Sequence, residues 1–226
     1  MPAIKIAPSF LTADLGRIAD EVRAVEAAGA DYLHLDVMDG HFVPPISFGA
    51  IVIEAINKVT DLPLDVHLMI EQPERQLESF AAAGADILNV HAEVCDDLPA
   101  IIAQIKALGC RAGVGLNPET AISAIAASME EIDQVLVMGV HPGWGGQALI
   151  PETIEKIRDL RARLNERGLG TDIEIDGGVK VHNAAECAAA GANVLVAGSV
   201  VFNDNASVAD SMRDLREALA AVEREA

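Results

Sequence analysis

Short apolar runs alternate along this chain with longer stretches whose apolar residues recur every three or four positions. The apolar runs fall at 4–9, 32–37, 64–68, 87–91, 111–116, 134–140, 172–176 and 194–198. Between them the helical period is clear at 15–28, 74–83, 98–108, 151–166, 181–190 and 208–222. Runs this short and this apolar suit strands buried on both faces, as in parallel sheets. Eight strands alternating with eight helical stretches predict a parallel (β/α)8 TIM barrel, a single domain over 1–226. An open doubly wound sheet is the competing architecture, but the first strand-to-helix turn, SFLTADLG, carries no GxGxxG.

One phrase recurs at the helix-to-strand junctions: EAAGADYL at 26–33, AAAGADIL at 81–88 and AAAGANVL at 188–195. Each ends a helical pattern and places Gly29, Gly84 or Gly191 where a left-handed helix cap is wanted. No linker or low-complexity segment interrupts this repetition, so nothing divides the chain into two domains.

Composition then narrows the function. The 16 Lys and Arg against 35 Asp and Glu leave a formal charge of −19. That excludes a sequence-independent grip on nucleic acid and disfavours anionic membranes. No apolar run approaches the roughly 18 residues of a membrane span, and MPAIKIAPSF has no long apolar region behind a basic one, so a cytoplasmic protein is expected. Cys95, Cys110 and Cys187 are odd in number with no CxxC spacing, which argues against a disulfide framework or a cysteine zinc site.

In a barrel the chemistry sits at the carboxyl ends of the strands. Strand side chains alternate, so His34 shares a face with Asp36, Asp65 with His67, and Glu174 with Asp176. A lone strand-end histidine is ordinarily a hydrogen-bonded core residue. Two histidines and two aspartates at matched depth on three strands instead suit a divalent cation such as Zn²⁺, Mn²⁺ or Fe²⁺. Asp65 and Glu174 lie one inward position deeper, where a carboxylate could orient the ring of a ligand histidine.

Glycine-rich turns follow three consecutive strands: Gly143, Gly145 and Gly146 around Trp144, then Gly177 and Gly178, then Gly198 with Ser199. Backbone N–H groups at such turns can cradle a phosphate. No Arg or Lys is obviously aimed there, so backbone dipoles are expected to do the holding. Lys5, Lys58, Lys106, Lys156 and Lys180 lie at a strand start or in helical segments, which disfavours a Schiff-base mechanism. No GxSxG elbow is present.

The strings HLDVMDGHFVP (34–44), DVHLM (65–69), PGWGGQ (142–147), IDGGV (175–179) and AGSVVF (197–202) closely resemble the ribulose-phosphate 3-epimerase family. The resemblance implies a (β/α)8 barrel with one divalent metal ion per chain, zinc first, with Fe²⁺, Mn²⁺ or Co²⁺ also suitable. It implies interconversion of D-ribulose 5-phosphate and D-xylulose 5-phosphate in the pentose phosphate pathway. By the same resemblance His34, Asp36, His67 and Asp176 would be the metal ligands, with Asp36 the proton acceptor and Asp176 the donor. Ser9 and His67 would touch substrate. Gly143, Trp144, Gly145, Gly146, Gly177, Gly178, Gly198 and Ser199 would line the phosphate end, and Met38, Met69 and Met138 would cap the site. A homo-oligomer is expected, although no helix shows a single apolar stripe.

The chemistry agrees with that assignment. Moving a C3 proton from one face of a ketose to the other needs two bases about a planar enediolate, whose charge a metal would stabilise. This chain departs from the family at Pro45, at His141 with Gly139 and Val140, and at Trp144, which stands for the usual Phe. These changes leave the reaction intact but open the substrate to another ketose phosphate, such as allulose 6-phosphate or a tetrulose phosphate. A phosphate-barrel lyase is disfavoured, because the stretch Asp36-Val37-Met38-Asp39 lacks the lysine of a D-x-K-x-x-D pattern. His41, His91 and His182 are left as structural or peripheral, with His41 nearest the site.

Overall fold

The computed structural model describes residues 3–225. Met1, Pro2 and Ala226 of the expected domain lie outside the described residues. The strands are β1 (Lys5–Pro8), β2 (Leu33–Met38), β3 (Leu64–Met69), β4 (Ile87–His91), β5 (Arg111–Leu116), β6 (Gln134–Met138), β7 (Asp172–Asp176) and β8 (Val194–Ala197). The α-helices are α1 (Ile18–Ala27), α2 (Ala50–Asn57), α3 (Leu77–Ala82), α4 (Leu98–Ala107), α5 (Glu152–Glu166), α6 (Val181–Ala190) and α7 (Val208–Glu225). All paired strands are parallel, in the order β1-β8-β7-β6-β5-β4-β3-β2. A Ser9–His34 bridge and an Asp31 N–H donating to the Ile6 carbonyl at 3.0 Å join β1 to β2 and bring the ends of the sheet together. The architecture is a (β/α)8 TIM barrel.

One expected helix is replaced. The connection from β5 to β6 holds a 3-10 turn, Ile122–Ile125, so seven α-helices are described rather than eight. Ile122 and Ile125 are the buried positions of that turn, and Ser128, Met129 and Ile132 are buried beyond it. Backbone N–H groups there donate three residues back, Ala124 to Ala121, Ala126 to Ser123 and Ser128 to Ile125 at 3.0, 3.3 and 3.0 Å, the bond pattern of a 3-10 helix. The expected stretches 15–28 and 74–83 likewise open with 3-10 turns, Leu15–Arg17 and Pro73–Arg75, before their α-helices begin.

The recurring phrase has a structural role beyond its capping glycine. Gly29, Gly84 and Gly191 take φ of +83°, +107° and +119°, the left-handed region that glycine enters at least cost. The acid or amide two residues later then reaches across to the preceding strand. Asp31 accepts the Ile6 N–H at 2.7 Å, Asp86 that of Leu64 at 2.8 Å, and Asn193 that of Ile173 at 2.8 Å. Asp133 does the same for Ala112 at 2.9 Å. Each even strand thus satisfies a backbone donor near the start of the odd strand before it, which would otherwise be an orphan at the barrel floor.

Two environments follow from the period-2 alternation. Outward residues such as Leu33, Leu35, Val66, Leu68, Ile173 and Ile175 belong to one large apolar cluster with helix residues such as Ile53, Ile56, Ile157 and Leu160. Each such fully buried side chain contributes about 1.5–3 kcal/mol. Inward residues are unusually polar. At the floor Asp172 accepts from Lys5 at 3.0 Å and Arg111 at 2.7 Å, and the Arg111 guanidinium also donates to the Tyr32 hydroxyl at 3.2 Å. Above it sits a layer of His34, Asp65, Asn89, Gln134 and Glu174, all buried.

Candidate active site

Register carries the sequence pattern into three dimensions. On β2 and β3, His34 faces Asp65, Asp36 faces His67 and Met38 faces Met69, so like depths meet. On β6 and β7, Leu136 pairs with Glu174 and Met138 with Asp176. The result is a stack: a hydrogen-bonded layer below, an acid and imidazole cluster above it, and a methionine rim at the mouth.

In the cluster, one nitrogen or oxygen from each of His34, Asp36, His67 and Asp176 lies within 4.8 Å of all the others. His67 Nδ1 is 3.0 Å from Asp36 Oδ1 and 3.4 Å from Asp176 Oδ2. His34 Nε2 is 3.4 Å from Asp36 Oδ1 and 3.8 Å from Asp176 Oδ2. Ser9 Oγ donates to Asp36 Oδ2 at 2.6 Å. His34 Nε2 is buried with no hydrogen-bond partner, a costly condition unless another group meets it. Two imidazoles and two carboxylates, with one ring nitrogen orphaned at their centre, fit a divalent cation.

The layer below holds His34 in place. Its Nδ1 lies 3.0 Å from Asp65 Oδ2 and 3.2 Å from Glu174 Oε1. Gln134 Nε2 donates to Glu174 Oε2 at 2.7 Å, and Asn89 Nδ2 to Asp65 Oδ1 at 2.6 Å. The two deeper carboxylates thus face the ring nitrogen of His34 that points away from the cluster.

Charge and burial compete throughout. Burial pushes the Asp36 carboxyl up, but His34 and His67 outweigh it and hold the group well below the usual carboxylate range. Burial pulls the His67 imidazolium down, yet Asp176 and Asp36 leave its pKa raised to about 9. His34 is raised well above its ordinary value by Asp36 and Glu174 against the same burial. Burial and then Asp65 push the Glu174 carboxyl well up, whereas at Asp65 burial is outweighed by His34, which holds that group below the usual carboxylate range.

Met38, Met69 and Met138 are all buried and line the mouth with Ser9, Asp36 and Asp176. The turns after β6, β7 and β8 close the same opening: Gly143, Trp144, Gly145 and Gly146, then Gly177 and Gly178, then Gly198 and Ser199. Gly178 has φ of +75°, and a Cβ there would run into the Leu149 backbone. The turn after β6 is pinned by Gln147, whose Nε2 donates to the His141 and Trp144 carbonyls at 2.8 and 2.9 Å. Trp144 itself is 58% exposed.

Four positions differ from expectation. Lys180 is not remote from the glycine turns: its Nζ donates to Ser199 Oγ at 2.6 Å, so a cation stands beside the turn after β8. It caps α6 just after Gly177 and Gly178, a spacing legible in the sequence. His91 is not peripheral. It is fully buried, with Nε2 2.8 Å from His67 Nε2 and Nδ1 3.1 Å from Glu93 Oε2. Its signal was its place two residues after inward-facing Asn89. His141 turns outward to Glu119, at 3.4 Å, and is absent from the mouth, whereas Pro45 packs near Gly143 of the rim. His41, expected nearest the site of the three remaining histidines, is instead exposed on a turn organised by Asp39, and His91 takes that place.

Comparisons with known proteins agree with this geometry. The model of the ribulose-phosphate 3 epimerase family matches residues 5–202. Ribulose-phosphate 3-epimerase of Bacillus subtilis is 50% identical over 203 residues, covering 89% of this chain and 94% of that protein. The enzyme of that name from Escherichia coli K12 is 44% identical over 211 residues, covering 92% and 94%. Among solved structures, KGPDC from Streptococcus mutans superposes with a TM-score of 0.74 over 98% of this chain and 99% of that one; at 12% identity this likeness concerns the fold alone. The chain belongs to the ribulose-phosphate 3-epimerase family and is an isomerase-class enzyme, an epimerase.

Proposed function

We propose that this epimerase interconverts D-ribulose 5-phosphate and D-xylulose 5-phosphate by moving protons at C3 between Asp36 and Asp176. The observation that carries this reading is the convergence of two aspartates from β2 and β7 on one buried imidazole pair, beneath a glycine-lined mouth. The Asp36 carboxylate takes the C3 proton from one face of the ketose, leaving a planar enediolate. Asp176, entering the step as the carboxylic acid, gives its own proton to the opposite face. One C–H bond breaks and another forms, C3 is inverted, and the two aspartates end with their protonation exchanged. Proton exchange with solvent then resets the pair.

His34, Asp36, His67 and Asp176 would hold one divalent cation, zinc first and iron, manganese or cobalt next, which when bound supplies Lewis-acid stabilisation of charge on a ketose oxygen. Ser9 orients Asp36 through its 2.6 Å hydrogen bond. Met38, Met69 and Met138 keep water from the reacting carbon. The phosphate would rest on the backbone of the glycine turns, with Ser199 and Lys180 adding polar and cationic support.

The test is proton chemistry at one carbon. Deuterium from solvent is expected to enter C3 of ribulose 5-phosphate with metal-loaded protein; no exchange would sink the epimerase reading. A panel of pentulose, hexulose and tetrulose phosphates then fixes the substrate, because Pro45 and Trp144 at the rim favour a second reading as an epimerase of another ketose phosphate.

A cytoplasmic homo-oligomer without nucleic-acid or membrane partners completes the proposal. Among the described residues no helix is long and apolar enough to cross a membrane, and Cys95, Cys110 and Cys187 are all free thiols. Ile46 and Ile51, 79% and 84% exposed, are apolar positions that a second copy would cover, which light scattering of the purified protein checks.

A further inference from the structure

His67 presents one ring nitrogen to the aspartates and the other to a second buried ring. Its Nδ1 lies 3.0 Å from Asp36 Oδ1, while its Nε2 lies 2.8 Å from His91 Nε2. Ring nitrogens that close need one hydrogen between them, since two bare lone pairs repel and two N–H groups clash. On its far side His91 Nδ1 meets Glu93 Oε2 at 3.1 Å. Glu93 Oε1 accepts from the Asn117 N–H at 2.8 Å and from the Thr120 hydroxyl. An ionised carboxylate accepts and cannot donate, so His91 carries its hydrogen on Nδ1 and turns a bare Nε2 toward His67. His67 must then carry hydrogen on Nε2.

The barrel makes room for this chain of groups. Gly115 on β5 is the register partner of His91, and a Cβ there would press to 3.3 Å on the imidazole. The His67 and His91 rings meet edge to edge, centroids 5.0 Å apart and planes at 25°, and the Phe42 ring packs on His91 at 4.7 Å. Lys156 Nζ donates to the carbonyls of Asn117 and Pro118 at 2.7 Å each, tying the segment that holds Glu93 to α5.

We propose that Glu93 is a positioning residue: acting through His91, it fixes the hydrogen on His67 Nε2 and so aims the Nδ1 lone pair into the His34, Asp36, His67 and Asp176 cluster, which sets how tightly that cluster holds a divalent cation. This role rests on the metal-centre reading above. Carboxylate partners of a ligand histidine commonly fix its tautomer directly; here a second histidine stands between them.

Co²⁺ titrated into chelator-treated full-length protein separates the two ideas without turnover. Chelator competition reads affinity, and the visible d–d bands read geometry. Glu93→Gln and His91→Phe are each expected to weaken Co²⁺ binding about 10- to 100-fold and to shift the bands. The double variant is expected to be no weaker than His91→Phe alone, because both changes act along one path. Glu93→Asp, which keeps the charge, is expected to recover part of the loss. Should His91→Phe fail to fold, the Glu93 variants and ¹⁵N spectra of the imidazoles decide, with hydrogen expected on Nδ1 of His91 and Nε2 of His67. Unchanged affinity and bands in Glu93→Gln, or hydrogen on Nε2 of His91, would overturn the role of Glu93 while leaving the metal centre standing. Failure of the wild type to bind Co²⁺ would overturn the metal centre and this role together.

Discussion

Asp36 and His67 are register partners on β2 and β3, and their side chains meet with Oδ1 3.0 Å from Nδ1. Asp176 reaches the same nitrogen from β7 at 3.4 Å. A single imidazole nitrogen therefore stands between the two carboxylates proposed to exchange protons with the substrate.

Removing the transferable proton of the donor aspartate tests the two-base reading. Asp176→Asn is isosteric and is expected to lower kcat by about 100-fold or more, the scale of general acid–base catalysis, with the fold intact by circular dichroism. Coupled-assay kinetics check it, and a variant with full activity would refute the pairing.

The raised histidines predict a pH-dependent stability in metal-free protein. Burial opposes the His67 imidazolium, but Asp176 and Asp36 leave its folded pKa at about 9, above the ordinary 6.5. The stabilisation is fully present below about pH 6.5 and is lost as pH rises through about 9. The melting temperature of chelator-treated protein is expected to fall across that window. Affinity for a divalent cation is expected to rise over the same window, because His67 must release a proton to bind it. A flat melting profile from pH 6.5 to 9 would contradict this.

Gly178 offers a test of the phosphate end. Alanine there is strained by the +75° φ and by the Leu149 backbone, so Gly178→Ala is expected to cost more than about 1 kcal/mol. With that turn displaced, KM for the sugar phosphate is expected to rise more than kcat falls. Thermal melting and steady-state kinetics measure the two effects separately.

Trp144 should matter for substrate and hardly for stability. Being 58% exposed, it is expected to tolerate Trp144→Phe within about 0.5 kcal/mol. The ratio of kcat/KM between pentulose and longer ketose phosphates is expected to move, and the substrate panel reads it.

The floor of the barrel predicts the reverse. Asp172 accepts from Lys5, Arg111 and Asn193, so Asp172→Ala leaves these donors without their acceptor. A loss of about 1–3 kcal/mol is expected in urea unfolding, with KM unchanged in the folded fraction.

Much of this molecule is written in local pattern. Period-2 alternation alone places His34 with Asp36, Asp65 with His67, and Glu174 with Asp176, because successive strand side chains must point to opposite faces. The GAD and GAN phrases mark three strand starts, because glycine takes a left-handed cap that other residues adopt only with strain. Such features need only a residue and its near neighbours.

What local pattern does not contain is contact across strands. That His91 meets His67 depends on the register of β3, β4 and β5 and on the absence of a side chain at Gly115. That Lys180 reaches Ser199 depends on adjacent loops after β7 and β8. The 3-10 turn at Ile122–Ile125 likewise replaces a helix that alternation alone suggested. The sequence by itself determined the barrel, its strands and the inward identity of four cluster residues, because backbone stereochemistry sets those locally. Only the tertiary structure decided which ring nitrogens face which carboxylates, because hydrogen-bond direction depends on distances of a few ångströms between residues far apart in the chain.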